Sequence, residues 1–370
     1  MPNPILQFGT SRFLQAHVDL FTSEALPVGR AVGEITVVQT TSNAQSAARI
    51  AALRSAGRYP VEIRGLRHGE IVERRIECSA ITEALHANED WALLRERVAC
   101  DVRMIVSNTG DSGYAQYAED DASLLDGQRT PRGFGAKLAV LLHERYRAGG
   151  PPITLLPCEL VSRNGDVLRD LVVEAARNWR ADEGFVHYLD TQCVWVNSLV
   201  DRIVSEPILP VGAVAEPYAL WAVERTAGMT LPCEHRDIVV TDDLARYERL
   251  KLFLLNLGHT VLAEQWLARG REEGVTVVAA MDDAAYRAPL EAVWNDEVLP
   301  VFEALGQREA ALSYLDEVRE RFANPFLAHR LAEIATHHEL KKQRRLLPVV
   351  ELARELKLDV GQPRLRAALG

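Results

Sequence analysis

The ten residues PILQFGTSRF, positions 4–13, decide how the rest of the chain is read. The apolar run at 4–8 has strand character, GTSRF is a turn, and helical spacing follows through His17, Phe21 and Leu26. A strand, a tight turn and a helix are the opening of a βαβ unit. Gly9 permits the sharp bend. In a dinucleotide-binding turn a second glycine lets main-chain amides approach a pyrophosphate at the helix N-terminus, and that position is held here by Ser11. Taken alone, the stretch admits a nucleotide site or a plain strand-to-helix connection.

Working outward, EITVVQTT (34–41) reads as a second strand and the alanine-rich stretch 44–56 as a helix. YPVEIRGL and EIVERRIE flank RHG as a hairpin. DVRMIVSNTG (101–110) is a strand ending in turn residues, GAKLAVLLHERYRA (135–148) a helix and PITLLPCE (152–159) another strand. Such alternation predicts a largely parallel sheet flanked by helices. From about residue 245 the spacing is helical with little strand signal, over 245–270, 281–306, 307–322, 325–339 and 345–356. The expected fold is therefore α/β: a Rossmann-like, doubly wound N-terminal domain over 1–240, followed by a mostly α-helical C-terminal domain over 241–370.

The 370 residues carry a formal charge of -10, which argues against a general nucleic-acid or anionic-membrane binder. The basic cluster Lys341, Lys342, Arg344 and Arg345 reads, by itself, as a solvated helix face. Cys78, Cys100, Cys158, Cys193 and Cys233 are widely spaced and form no CxxC pair, so neither a disulfide framework nor a zinc knuckle is indicated. No signal-peptide pattern and no run of 18 apolar residues occurs, and a cytoplasmic location is expected.

Several short stretches carry polar groups suited to chemistry. At the end of the second strand stand Gln39, Thr40, Thr41 and Ser42; neither an acid for a ribose 2′-hydroxyl nor an arginine for a 2′-phosphate is among them, so NAD and NADP both stay open. In VSNTGDSGY (106–114), Ser107, Asn108 and Thr109 can bond a ribose or an amide, or simply make a turn. Asn164-Gly165 is either a turn leading into a helix or a carboxamide donor to a substrate oxygen. Asp201 beside Arg202 has the look of a paired structural charge. KLFLLNLGHT (251–260) is different, because Lys251, Asn256 and His259 interrupt an otherwise apolar segment. On a regular helix they project at roughly 0°, 140° and 80°, one broad side. A lysine whose pKa is lowered by burial is a competent general acid or base, an asparagine amide can hold a developing alkoxide, and a histidine can bond the same oxygen. The alternative is a snorkelling lysine and a satisfied core histidine.

The spacing K-x4-N-x2-H resembles the catalytic helix of the polyol-specific long-chain dehydrogenases, the mannitol dehydrogenase family. FGTSRF, SNT (107–109), PCELVSRNGD, NSLVDRIV, EPYALWAVE and RFANPFLAHRL follow in the family's order, from about residue 5 to 350. Within the family, PCELVSRNGDVLRDLV, GAKLAVLLHER and KKQRRLLP look like the altronate oxidoreductase, or tagaturonate reductase, branch. The resemblance implies hydride transfer between NAD, with NADP open, and a sugar acid or polyol, without a metal. It implies that Lys251 is the acid/base group, that Asn164 and Asn256 donate to the reacting oxygen, and that His259 contacts the substrate. Lys341 and His337 would reach the substrate, and Asp201 would sit near the lysine. Gly9, Thr10, Ser11, Phe13, Thr40, Ser107, Asn108 and Thr109 fall to the cofactor, and the protein is expected as a monomer or homodimer. Ser11 departs from the family's glycine, and His337-His338 from an Asn-Gly pair. A mannitol-1-phosphate-type alditol phosphate dehydrogenase and an inactive NAD-binding sensor are the competing expectations.

Overall fold

Ile5–Phe8 is a strand with every residue buried, and it lies between two parallel neighbours, Ile35 facing Ile5 on one side and Met104 on the other. The computed structural model describes residues 2–41, 44–110 and 113–370; Ser42, read above at the end of the second strand, lies outside them. Six strands make this sheet: Ile5–Phe8, Ile35–Gln39, Ile81–His86, Met104–Ser107, Ile153–Pro157 and Cys193–Trp195. Numbered along the chain they lie 3-2-1-4-5-6, all parallel, the order of a doubly wound dinucleotide-binding fold. Because helices cover a parallel sheet on both faces, its strands read as near-continuous apolar runs such as ITLLP rather than as alternation. The helices Trp91–Cys100, Phe134–Arg147, Asn164–Asn178 and Glu183–Thr191 contribute Leu94, Leu138, Leu168 and Phe185 to a core shared with Leu6, Phe8, Ile105 and Leu155.

The chain divides into two compact units. The first comprises Met1–Glu62, Arg75–Ala215 and Ala219–Leu244, the second Ile63–Arg74, Glu216–Tyr218 and Ala245–Gly370. The first unit also holds a three-stranded sheet in which Leu220–Glu224 pairs antiparallel with Ser198–Asp201 and parallel with Ile238–Thr241. The hairpin of Tyr59–Arg67 and Glu70–Cys78 is present as expected. The expected single helix after Gly9 is instead two, Arg12–Gln15 and Val18–Ala25, broken at Ala16 and His17. Beneath the sheet Asp19 is fully buried; Tyr59 donates to its carboxylate at 3.0 Å, and burial pushes the carboxyl up to about 7.

The second unit is built mainly of helices around Leu254, Leu262, Trp294, Phe302, Leu315, Phe322 and Val349. Its central rod changes winding along its length: Leu244–Leu250 and Leu257–Ala268 are α-helical, but Lys251–Asn256 is a π-helix. A second π turn, Val293–Val298, supplies Trp294, whose indole N–H donates to the Leu254 carbonyl at 3.1 Å. That bond adds a partner to a carbonyl of the irregular turn that the Leu257 amide also reaches. A Cβ on Gly258 would lie 2.6 Å from the Trp294 ring and 3.2 Å from Phe322, so only glycine permits this approach. Arg321 and Glu216, both nearly inaccessible, form a fork at 2.8 and 3.0 Å, with the guanidinium over the Tyr218 ring.

Candidate active site

In the first unit the polar residues gather where the first and fourth strands end, the crevice at which the strand order reverses. Gly9 has φ +114°, and a Cβ there would stand 2.6 Å from the Asn108 carbonyl oxygen. Glycine is thus required both by conformation and by close approach of the two strand ends. Ser11 uses its hydroxyl to cap the short helix Arg12–Gln15, accepting from Leu14 N at 3.2 Å. Thr10 donates its hydroxyl to Gln39, at the end of the second strand, and Arg49 donates to the same hydroxyl at 3.3 Å. Thr40 is half-buried, and Phe13 stacks on His17 with ring centroids 4.8 Å apart.

Ser107 and Thr109 turn inward. Glu159, itself buried, accepts from the Ser107 hydroxyl at 3.0 Å and from both the amide and the hydroxyl of Thr109 at 3.1 and 3.0 Å. Burial raises the Glu159 carboxyl, and these donors oppose that rise. The Asn108 amide donates to the Cys158 carbonyl at 2.8 Å. The SNT side chains therefore fasten one strand end to the next.

Asn164 sits among main-chain partners. Its carboxamide is wholly buried and donates to the carbonyls of Pro157 (3.1 Å), Glu159 (3.1 Å) and Ser198 (2.9 Å), while its oxygen accepts from Ser198 N at 2.9 Å. An amide nitrogen has two protons, and here three main-chain carbonyls compete for them. Asn164 is a clamp between the strand end at Pro157 and the strand Ser198–Asp201, and the adjoining Gly165 allows the helix within 2.6 Å (as a Cβ) of the Val196 main chain. Asp201 is buried at the end of that same strand.

In the second unit the π turn changes the geometry assumed above. At 100° per residue a pair five positions apart diverges by about 140°, but i→i+5 winding brings such a pair toward one another along the rod. Lys251 and Asn256, the first and last residues of the π segment, are both half-buried. His259 is buried, its ring 4.4 Å from Phe322 and 5.0 Å from His329. Burial holds the His329 imidazole below its usual range; Glu333 opposes this and Lys341 adds to it. Lys341 donates to the Ile334 carbonyl at 2.7 Å, while Arg345 reaches the Thr260 hydroxyl at 3.3 Å and the Asn256 carbonyl at 3.5 Å. His337 is exposed, with φ 54°, at the start of His338–Arg345.

Two family signatures match in sequence order: the mannitol dehydrogenase Rossmann domain over residues 3–232 and the mannitol dehydrogenase C-terminal domain over 243–366. The chain belongs to the mannitol dehydrogenase family. Among curated mannitol dehydrogenase relatives, altronate oxidoreductase of Bacillus subtilis (strain 168) is 30% identical over 95% of this chain and 75% of its own length. That of Yersinia pestis is 30% identical over 100% of this chain and 78% of its own. The fold is shared with D-sorbitol dehydrogenase in substrate-free form (TM-score 0.82, 22% identity, 99% of this chain and 79% of that one). It is shared as well with Pseudomonas fluorescens mannitol 2-dehydrogenase, solved with NAD and D-mannitol (TM-score 0.76, 19% identity, 99% and 78%).

For this mannitol dehydrogenase family member, sequence reasoning missed Glu159, Arg49, His329 and the separate behaviour of Arg345. Glu159 had a signal, a lone acid directly after the apolar strand ITLLP. Arg345 had another, its place four residues beyond Lys341 on a helix. Among the described residues no cluster of three or more metal-ligating side chains occurs, and no helix is long and apolar enough to cross a membrane.

Proposed function

We propose that this oxidoreductase transfers a hydride between NAD and a secondary alcohol or ketone carbon of a sugar acid or polyol, with Lys251 as the acid/base group. The single observation that carries the reading is the α–π–α rod, which gathers an ammonium, a carboxamide and an imidazole on one element. In the reducing direction the Lys251 ammonium gives its proton to the substrate oxygen, and in the oxidising direction the neutral amine takes the hydroxyl proton. Asn256 donates to the oxygen as negative charge develops, and His259 bonds a substrate hydroxyl or carbonyl. Since these groups supply both the proton and the charge stabilisation, the scheme calls for no metal.

The tight, close-packed Gly9 turn stands at the strand ends where folds of this strand order hold a pyrophosphate. NAD, when bound there, supplies or accepts the hydride. Asn164 enters this scheme as a positioning residue that fixes the neighbouring strand ends. Support also comes from the altronate oxidoreductase, sorbitol dehydrogenase and mannitol 2-dehydrogenase relatives.

The test is a screen of hexonates, hexitols and their keto forms with NAD(H) and NADP(H), read by nicotinamide absorbance. With the best substrate, Lys251→Ala lowers kcat by about 10²-fold or more while NADH affinity, read by fluorescence, stays within about twofold. Near-normal turnover in that variant refutes the assignment.

A further inference from the structure

The three-stranded sheet of the first unit has Leu220–Glu224 in its middle and two unlike edges. At Ser198–Asp201 the Asn164 side chain takes up the main chain of Ser198, whose amide donates to the Asn164 oxygen at 2.9 Å and whose carbonyl accepts from its nitrogen at 2.9 Å. At Ile238–Thr241 the residues IVVT are all half-buried. The amides of Trp221 and Arg225 donate to the carbonyls of Asp237 at 2.7 Å and Thr241 at 2.8 Å, so in this parallel pairing the odd-numbered residues face the middle strand. The amide of Val240 and the carbonyls of Ile238 and Val240 therefore point toward the open edge. The Ile238 amide is met within its own turn, by the His235 carbonyl at 3.1 Å. Beside this edge a groove of about 630 Å³ is lined by Ala31, Val32, Met229, Leu231, Ile238 and Val240.

Three consecutive β-branched apolar residues on the edge of a sheet are what soluble proteins ordinarily avoid, because such an edge recruits another strand. The flanking charges show which strand it recruits. Arg236 precedes the strand and Asp242 follows it, both exposed and each three positions from Val239. In a second copy running antiparallel about a two-fold axis at Val239, Arg236 meets the partner's Asp242, and Asp242 meets the partner's Arg236. Ile238 then lies opposite the partner's Val240 on the groove side, and the Val240 amide meets the partner's Ile238 carbonyl. The phase is right, since the residues brought into opposition are those whose main-chain groups face outward. Neighbouring registers fail: an axis at Ile238 sets Glu234 against the partner's Asp242, and one at Val240 sets Asp237 against the partner's Asp243. Flanking charges of one sign would repel a second copy; these, of opposite sign and equal spacing, attract one.

We propose that this chain forms a two-fold homodimer by joining its Ile238–Thr241 edge to that of a second copy, with Arg236 and Asp242 fixing the register. Apolar contact and main-chain bonds hold the pair, and the exposed ion pairs select the alignment more than they add affinity. Within one chain Asp242 lies 2.9 Å from Arg225 and Arg236 lies 3.8 Å from Asp237, so both charges are near the edge they would bridge. The strand is short, which places the contact at the small end of specific interfaces and its dissociation in the micromolar range.

Sedimentation velocity of the full-length protein tests this. Wild type passes from monomer to dimer over about 1–500 μM. Arg236→Glu and Asp242→Arg each set like charges together at both ends, and each alone weakens dimerisation by about 10-fold or more at low salt. Mixed in equal amounts the two variants pair with each other, because one carries acids at both positions and the other carries bases. Val240→Lys puts a charge into the apolar contact and abolishes the dimer, and Tm reports that every variant is folded. Wild type that stays monomeric throughout overturns the proposal. So does a dimer indifferent to Val240→Lys, and so do charge variants that associate as wild type does when alone or fail to recover on mixing.

Discussion

Replacing Asp19 by asparagine tests how strongly the first unit resists a charge beneath its sheet. The carboxyl is fully buried and titrates at about 7 against an ordinary 3.8. Because the folded value is raised, the native chain holds the proton more tightly than the unfolded chain. The associated stability is complete below the unfolded pKa, is lost as pH rises toward 7, and changes little above it. At about 1.36 kcal/mol per pKa unit the full loss is on the order of 4 kcal/mol, of which about 2.7 kcal/mol develops between pH 5 and 8. Asn keeps an acceptor for the Tyr59 hydroxyl and never ionises. The assay is urea unfolding of both proteins at pH 5, 6, 7 and 8, followed by tryptophan fluorescence. The stability of Asp19→Asn relative to wild type should climb by about 2.7 kcal/mol across that range and then flatten; subtracting one protein from the other removes every titration they share. A difference that stays constant with pH would mean that Asp19 ionises in the folded protein as freely as in the unfolded chain.

Asn164→Ala should destabilise by about 2–4 kcal/mol in thermal or urea unfolding, since it strands buried carbonyls and the Ser198 amide without partners; a loss under about 0.5 kcal/mol would show that the clamp is dispensable. Gly258→Ala drives a methyl to within 2.6 Å of Trp294 and should cost about 1–3 kcal/mol, with reduced turnover as the π turn shifts, measured by Tm and initial rate; unchanged values for both would show that the packing yields freely.

Much of the architecture was legible in the sequence, because buried parallel strands leave apolar runs such as ILQF, ITVVQ and ITLLP that water contact would not allow. Ile81–His86 escaped, being an edge strand with exposed Thr82 and half-buried Glu83 and few β-branched residues. The π winding escaped as well, since apolar spacing over six residues does not separate i→i+4 from i→i+5 hydrogen bonding. Lys251, Asn256 and His259 stood out as polar residues in an oily segment. Asn164 stood out too, but residue type alone could not say that main-chain carbonyls surround its amide. The Glu159 network and the surroundings of Lys341 depend on what other segments bring near, and only tertiary structure supplies that.

The irregular turn from Lys251 to Asn256 carries a lesson for anyone copying this chemistry. Hydrogen-bonding geometry favours ordinary winding, so a chain relieved of one residue here would gain a straighter, sturdier rod while swinging its amine and carboxamide onto different sides. On the proposed reading, the three side chains grafted onto a standard helix would keep their identities and lose their spacing; the spare residue, the indole bound to the Leu254 carbonyl and the glycine that admits the indole would have to travel with them.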